Sequence, residues 1–175
     1  MPAWPTPKQF DIVWCKFPYN GHPSAQRHPC LILTIADEQA GSPLYLIVAG
    51  GTSANKQGRW TRAIKATDFV VQEPGLLKAA GLANATAFQF EAFTTQADGV
   101  MTGGSLLTLP YTDDFFVAVA PAKTPVIGKL DLGNAKVKDA FIKAGKAARL
   151  RALLEAEQAR YAGNKDVRKI LKKKR

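Results

Sequence analysis

Three short apolar runs lie close together near the start of the chain, and each is bounded by residues that favour turns. They span 10–17, 30–35 and 44–49. Apolar runs of this length between polar, Gly- and Pro-containing segments are typical of buried β-strands. The third run leads into Gly50-Gly51, where the backbone can turn sharply or approach another segment closely. We therefore expect three neighbouring strands to organise the fold.

The rest of the chain predicts further short strands and then helix. Strand signals recur at 68–71, 87–93 and 106–109, with a short helix at 76–80 that Gly81 closes. From Asn134, a candidate N-cap, apolar residues at helical spacing continue to 161. Because the first strand is apolar on both faces, we expect a tightly curved sheet. The fold class predicted is mainly β with helical additions (α+β), a small SH3-like β-barrel with a C-terminal helix.

This reading divides the chain into four parts. They are an extended N-terminal arm (1–9), a barrel domain (10–131), a C-terminal helix packed on the barrel (132–162) and a basic tail (163–175).

The charge of the chain indicates a polyanionic partner. The 175 residues carry a formal net charge of +10, and seven of the 24 Lys and Arg residues fall within 165–175. No apolar stretch is long enough to cross a membrane, and the N-terminus has no signal-peptide pattern, so we expect a cytoplasmic protein without a membrane partner. Two cysteines inside apolar runs predict buried thiols, and two histidines are too few for a zinc site. No metal or cofactor is expected.

Polar residues occur at two of the joints between the strands. Arg27 and His28 precede the second strand, and Thr52 and Ser53 follow the third. They could be ordinary loop residues, or turn residues that bond their own backbone. Taken alone, the placement favours the first reading for Arg27 and His28 and leaves Thr52 and Ser53 open, but loops between strands often carry function, so all four are candidate site residues.

A basic loop follows this joint, and a basic end closes the chain. Cations mixed with an aromatic ring can hold phosphates and stack a base, although a solvated loop has the same composition. The candidate RNA-binding residues of the loop are Lys56, Arg59, Trp60 and Arg62. Those of the chain end are Lys172, Lys173, Lys174 and Arg175. The end would add salt-sensitive affinity without sequence preference, or would only aid solubility.

The order of these segments resembles the PemK/MazF toxins of bacterial toxin–antitoxin systems. That family has a Gly-Asp-Ile-Val-Trp strand, a loop ending in Arg-Pro-Ala-Leu-Val-Leu, and a strand ending in Thr or Ser. The matching residues here are Asp11-Ile12-Val13-Trp14, His28-Pro29-Cys30-Leu31-Ile32-Leu33 and Thr52-Ser53. The resemblance covers roughly 10–71, and the segments 87–90 and 124–128 resemble a longer, PemK-like branch.

The resemblance implies an activity and its partners. A homodimer, neutralised by a cognate antitoxin protein, would cleave single-stranded RNA without a metal or cofactor. The 2′-hydroxyl of the substrate would attack the adjacent phosphate, which leaves a 2′,3′-cyclic phosphate and a 5′-hydroxyl. In the family, an Arg before the Pro and a Thr or Ser after the third strand do the chemistry.

The chain departs from the family at the first of these positions. His28 stands directly before Pro29, and Arg27 lies one residue earlier. Adjacent side chains of an extended segment point to opposite faces, so both cannot occupy one site. Either His28 serves as the acid–base group, for which its near-neutral pKa suits it, or a kink brings Arg27 into the site. Loss of activity is the third possibility.

Two other functions share the predicted fold. One is a catalytically inactive barrel that binds nucleic acid or protein, which the long basic C-terminal extension favours. The other, weaker, is a topoisomerase poison of the CcdB kind that acts through its C-terminal helix. The fold alone does not separate them.

Overall fold

The chain forms a small α+β half-barrel, as the sequence predicts. The computed structural model describes residues 4–17, 26–37, 44–91, 94–95, 101–102, 106–120 and 123–163. Within these ranges an antiparallel sheet curls around one side of the molecule, and three helices pack on it. None of the helices in the described ranges is long and apolar enough to cross a bilayer.

The elements follow in this order. The strands are β1 (Asp11–Cys15), β2 (His28–Asp37), β3 (Tyr45–Ser53), β4 (Asp68–Val71), β5 (Thr86–Gln89), β6 (Thr94–Thr95), β7 (Met101–Thr102), β8 (Leu106–Pro110) and β9 (Val126–Lys129). The helices are α1 (Pro74–Ala79), α2 (Ala135–Ala148) and α3 (Leu150–Gly163).

Strand β3 is the centre of the sheet and changes partners along its length. The main sheet has the order β4-β5-β3-β2-β1-β9, and β8 also pairs with β3; β6 and β7 form a separate pair. The stretch of β3 from Tyr45 to Ala49 pairs with β8, whereas Gly51 to Ser53 pair with β5. The end of β3 is therefore the place where the sheet divides, and the candidate residues Thr52 and Ser53 lie there.

The central strands bury both faces, but two separate cores cover them. One core contains Ile12, Leu31 and Ile47 and is closed by the three helices, β4 and β5. The other contains Val13, Cys30 and Val48 and is closed by β8 and the segment after it. Alternation along a strand sends successive side chains to the two cores. The apolar residues on both faces of β1 thus reflect two covered faces as well as curvature.

The cysteines are packing residues, as predicted. Cys15 and Cys30 are fully buried and carry free thiols. Burial, together with the neighbouring Cys15 thiol, raises the pKa of Cys30 well above its usual range. Both side chains belong to the second core, where they act as small hydrophobic groups.

The C-terminal helical region differs from its prediction because it is two helices. Asn134 does cap α2: its Oδ1 accepts hydrogen bonds from the backbone N–H of Lys136 and Val137 at 3.0 and 3.2 Å. Arg149, however, adopts a left-handed conformation with φ of 53° and ends α2 before α3 begins. The sequence gives no signal for this break, because a left-handed C-terminal residue is usually Gly. The redirected chain buries Leu150 in the first core.

Helix α3 is fixed to the outer edge of β8 by one carboxylate. Glu157 Oε1 accepts hydrogen bonds from the backbone N–H and the hydroxyl of Thr108, at 2.9 and 2.8 Å. The N–H of Leu106 donates to the carbonyl of Glu91, and Pro110 has no N–H to donate. These contacts occupy donors that an edge strand would otherwise offer to another chain.

Candidate active site

His28 and Thr52 lie just beyond the last paired residues of β2 and β3. The register of these strands ends with Cys30 opposite Gly50, and continuing it by two residues would place His28 across from Thr52. Directly opposed residues of an antiparallel pair project to the same face with their Cβ atoms about 4.5–5.5 Å apart. Alternation from Cys30 and Val48 assigns both His28 and Thr52 to the face of the sheet that the second core covers.

His28 is held in an environment that favours the neutral imidazole. It pairs with Cys15 of β1 on its other side and is half-buried. Burial lowers the pKa of His28 below its ordinary value of 6.5, because desolvation disfavours the charged form. A neutral imidazole at pH 7 can accept a proton, as a general base must.

Ser53 points to the opposite face and is engaged with β5. Its Oγ lies 3.4 Å from Oγ1 of Thr86, and that Thr86 hydroxyl donates to the carbonyl of Asn84 at 3.0 Å. Since a hydroxyl has one proton and the carbonyl can only accept, Ser53 must be the donor to Thr86. The Ser53 hydroxyl therefore already donates its proton in a hydrogen bond to Thr86. The Thr52 hydroxyl has no hydrogen-bond partner in the described part of the chain, so it is the better donor to a ligand.

Arg27 lies just outside β2. It is exposed and precedes the first paired residue of the strand. Because Arg27 is not part of the paired strand, alternation does not fix the direction of its side chain relative to His28.

A close backbone approach at Gly51 fixes this end of the sheet. A Cβ on Gly51 would lie 2.6 Å from the carbonyl oxygen of Pro29, 2.9 Å from Cγ2 of Thr86 and 3.0 Å from Cε1 of Phe88. Any side chain here would push β2 and β5 away from β3. The glycine therefore allows His28, Thr52 and Ser53 to be presented on closely packed strands.

The basic loop after β3 is folded around Asn55. The Asn55 Oδ1 accepts hydrogen bonds from the N–H groups of Gln57 and Arg59, at 3.0 and 2.9 Å, and Gly58 turns the chain with φ of 76°. Side chains of Lys56 and Arg59 are exposed, and Trp60 is partly buried. The loop thus presents two cations beside the end of β3.

Arg62 has a structural partner. Its Nη1 and Nη2 atoms bind Oδ2 and Oδ1 of Asp68 at 2.8 and 3.0 Å, and the Asp68 side chain is fully buried. The backbone N–H of Lys65 also donates to this carboxylate at 2.8 Å. The guanidinium thus compensates a buried charge at the start of β4.

Replacing Arg62 with methionine is expected to lower the free energy of unfolding by about 2–3 kcal/mol, because it leaves Asp68 buried without its cation. Urea denaturation measures the change. The matched control is Arg59→Met in the same loop, where the exposed side chain should contribute within about 0.5 kcal/mol. An Arg62 variant as stable as the wild type that bound RNA more weakly would contradict the structural role and favour the predicted RNA contact.

Some predicted residues fall outside the described ranges. Lys172, Lys173, Lys174 and Arg175 lie there, as does the 18–25 stretch of the loop before β2. Their predicted roles stay predictions.

Three residues that shape the site were missed by the sequence analysis. Thr86 orients Ser53 from 33 positions away, Asp68 holds Arg62, and Asn55 organises the loop. For Thr86 no local signal exists, because the contact depends on the pairing of β3 with β5. Asn55 next to a basic loop is a typical turn residue and could have been found.

Comparison with known proteins adds no assignment. No protein-family model matches the sequence, and no curated protein matches it.

Proposed function

We propose that this protein is a metal-independent endoribonuclease that cleaves single-stranded RNA, of the kind its resemblance to PemK/MazF toxins implies. The observation that carries the proposal is the position of two groups at the same end of β2 and β3: a half-buried His28 with a lowered pKa, and a Thr52 hydroxyl without a partner among the described residues. A base and a hydrogen-bond donor on one face are the minimum that 2′-hydroxyl attack requires.

In the proposed reaction each group has one task. His28 takes the proton of the substrate 2′-hydroxyl, whose oxygen forms a bond to the adjacent phosphorus. Thr52 donates a hydrogen bond to a non-bridging phosphate oxygen, where negative charge increases in the transition state. The bond from phosphorus to the 5′-oxygen breaks, and that oxygen takes a proton from water. The products are a 2′,3′-cyclic phosphate and a 5′-hydroxyl.

The remaining candidates bind the substrate. Lys56 and Arg59 are exposed on the loop that leaves β3, where they can neutralise phosphates beside the scissile one. Trp60 is partly buried, and its exposed part would stack on a base. We also propose that the protein is a homodimer, that a cognate antitoxin neutralises it, and that it acts in the cytoplasm, where the RNA substrate is present.

A binding module is the second candidate, and one observation favours it. The family arginine is replaced by His28, and the nearby Arg27 is exposed and lies outside the strand. The loop cations would then grip RNA without cleaving it.

The two candidates are separated by measuring cleavage and binding of the same RNA for the wild type, His28→Ala, Arg27→Ala and Thr52→Ala. An endoribonuclease cleaves in EDTA and loses cleavage, but keeps most of its binding, when His28 or Thr52 is replaced. Intact RNA, with binding unchanged by all three substitutions, would overturn the proposal and leave the module. The Arg27→Ala variant shows whether that arginine contributes to RNA cleavage or to RNA binding.

The pH dependence of cleavage follows from the burial of His28. The neutral form is the active one, and its pKa in the folded protein lies below 6.5. As pH falls, the imidazole therefore stays neutral past 6.5, and kcat/KM should decline only at lower pH. A profile of kcat/KM from pH 4.5 to 8 tests this. An acid limb with its midpoint above 6.5 would contradict a desolvated histidine base.

A further inference from the structure

An open groove lies where α2 meets α3, and none of the candidate RNA-binding residues lines it. It has a volume of about 630 Å³ and is formed by the end of α2, the left-handed residue Arg149 and the first turns of α3. The side chain of Ile142 lines it and is 41 % exposed, one of few large apolar side chains exposed in the described ranges. Leu150 and Ala152 continue the apolar lining.

The rim of the groove is positively charged. Lys146, Arg149 and Arg151 surround the apolar lining. The single acidic group there, Glu155, lies 3.5 Å from Arg151 in an exposed i,i+4 ion pair. That pair contributes little, and the other two cations are left to attract an anion. The groove therefore combines apolar surface with positive charge.

These features select one kind of occupant. The C-terminal segment 164–175 carries seven Lys and Arg residues and one Asp, and the whole chain carries +10, so like charge disfavours both this segment and a second copy of the protein. Nucleic acid would match the charge but would leave the exposed side chain of Ile142 without apolar contacts. A peptide with both carboxylates and aliphatic side chains satisfies the rim and the lining together.

We propose that the α2–α3 groove binds an acidic protein segment that inserts aliphatic side chains against Ile142. Carboxylates of the segment lie against Lys146 and Arg149, as electrostatic complementarity requires. The site is independent of the proposed ribonuclease, because none of its residues belongs to the β2–β3 site or to the basic loop.

The test is fluorescence-anisotropy titration of the full-length protein with a labelled peptide of about 16 residues that places Leu and Glu at helical spacing. One control probe has Ser in place of each Leu, and another is oligouridine of equal charge. The protein variants are Ile142→Ser and Lys146→Glu, with Lys78→Glu on α1 as a matched charge change outside the groove. Circular dichroism verifies that each variant is folded.

The proposal expects saturable binding of the Leu peptide that is weakened about tenfold by Ile142→Ser and by Lys146→Glu. Lys78→Glu should change it by less than about twofold, and the Ser peptide should bind at least about tenfold more weakly. If Ile142→Ser does not fold, the Lys146→Glu variant and the Ser peptide still test whether the groove binds the Leu peptide. Absence of saturation, equal binding of the two peptides, or an effect of the groove variants on oligouridine alone would overturn the proposal. RNA cleavage by the same variants should stay at the wild-type rate, so failure of one proposal is visible separately from failure of the other.

Discussion

Replacing Thr52 with valine is expected to lower the rate of RNA cleavage by about 10²-fold to 10³-fold, the usual cost of removing one preorganised donor to a developing negative charge. Valine keeps the size and branching of the side chain, so the β3 backbone and its pairing with β2 should be retained. Because the Thr52 hydroxyl has no partner in the described ranges, its removal breaks no hydrogen bond among those residues. Single-turnover rates with saturating enzyme measure the loss.

Ser53→Ala is the matched control. Its proton is directed to Thr86 on the other face of β3, so its loss should lower the rate by less than about tenfold. Thr86→Val tests the same hydrogen-bond chain and should resemble Ser53→Ala. A rate that collapses in Ser53→Ala and survives in Thr52→Val would reverse the assignment of the two residues.

Replacing Gly128 with alanine is expected to lower the free energy of unfolding by about 3 kcal/mol or more, at the upper end of the cost of overpacking. A Cβ on Gly128 would lie 2.6 Å from the backbone nitrogen of Gly81 and closer still to the carbonyl of Ala80. These are backbone atoms at the end of α1, which cannot move aside as a flexible side chain can. The close approach brings α1 against β9 and helps to close the half-barrel.

Gly75→Ala provides the control for this prediction. Gly75 lies in α1, and a Cβ there would meet no atom within 4 Å. Stability should be unchanged or rise by up to about 1 kcal/mol, since alanine restricts the unfolded chain. Chemical denaturation of both variants makes the comparison. A Gly128→Ala protein as stable as the wild type would show that α1 and β9 are not held in contact.

The elements of the fold could be predicted from the sequence where a local pattern sets them. The strand at 68–71 has the predicted bounds, and Asn134 caps α2 as expected. The break at Arg149 could not be predicted, because a residue with a side chain occupies a conformation that glycine usually takes. Tertiary burial of Leu150 overrides that local preference.

The sequence could nominate residues for the candidate site, but it could not give their geometry. Polar residues at strand ends gave His28 and Thr52 as candidates. Their relative position depends on the β2–β3 register, which shifts between Ile32 and Thr34 and again between Ile35 and Asp37. Such bulges have no reliable sequence signal here, since no glycine marks them. The roles of Arg62 and Ser53 depend on partners distant in sequence.

The most direct test of the proposed activity is end-group analysis of RNA after incubation with the purified wild-type protein in EDTA. Mass spectrometry of the fragments should show 2′,3′-cyclic phosphates and 5′-hydroxyls, and DNA of the same sequence should remain intact because it has no 2′-hydroxyl. Thr52→Val should give the same ends at a much lower rate. Fragments with 5′-phosphates, cleavage that EDTA abolishes, or intact RNA would contradict the account.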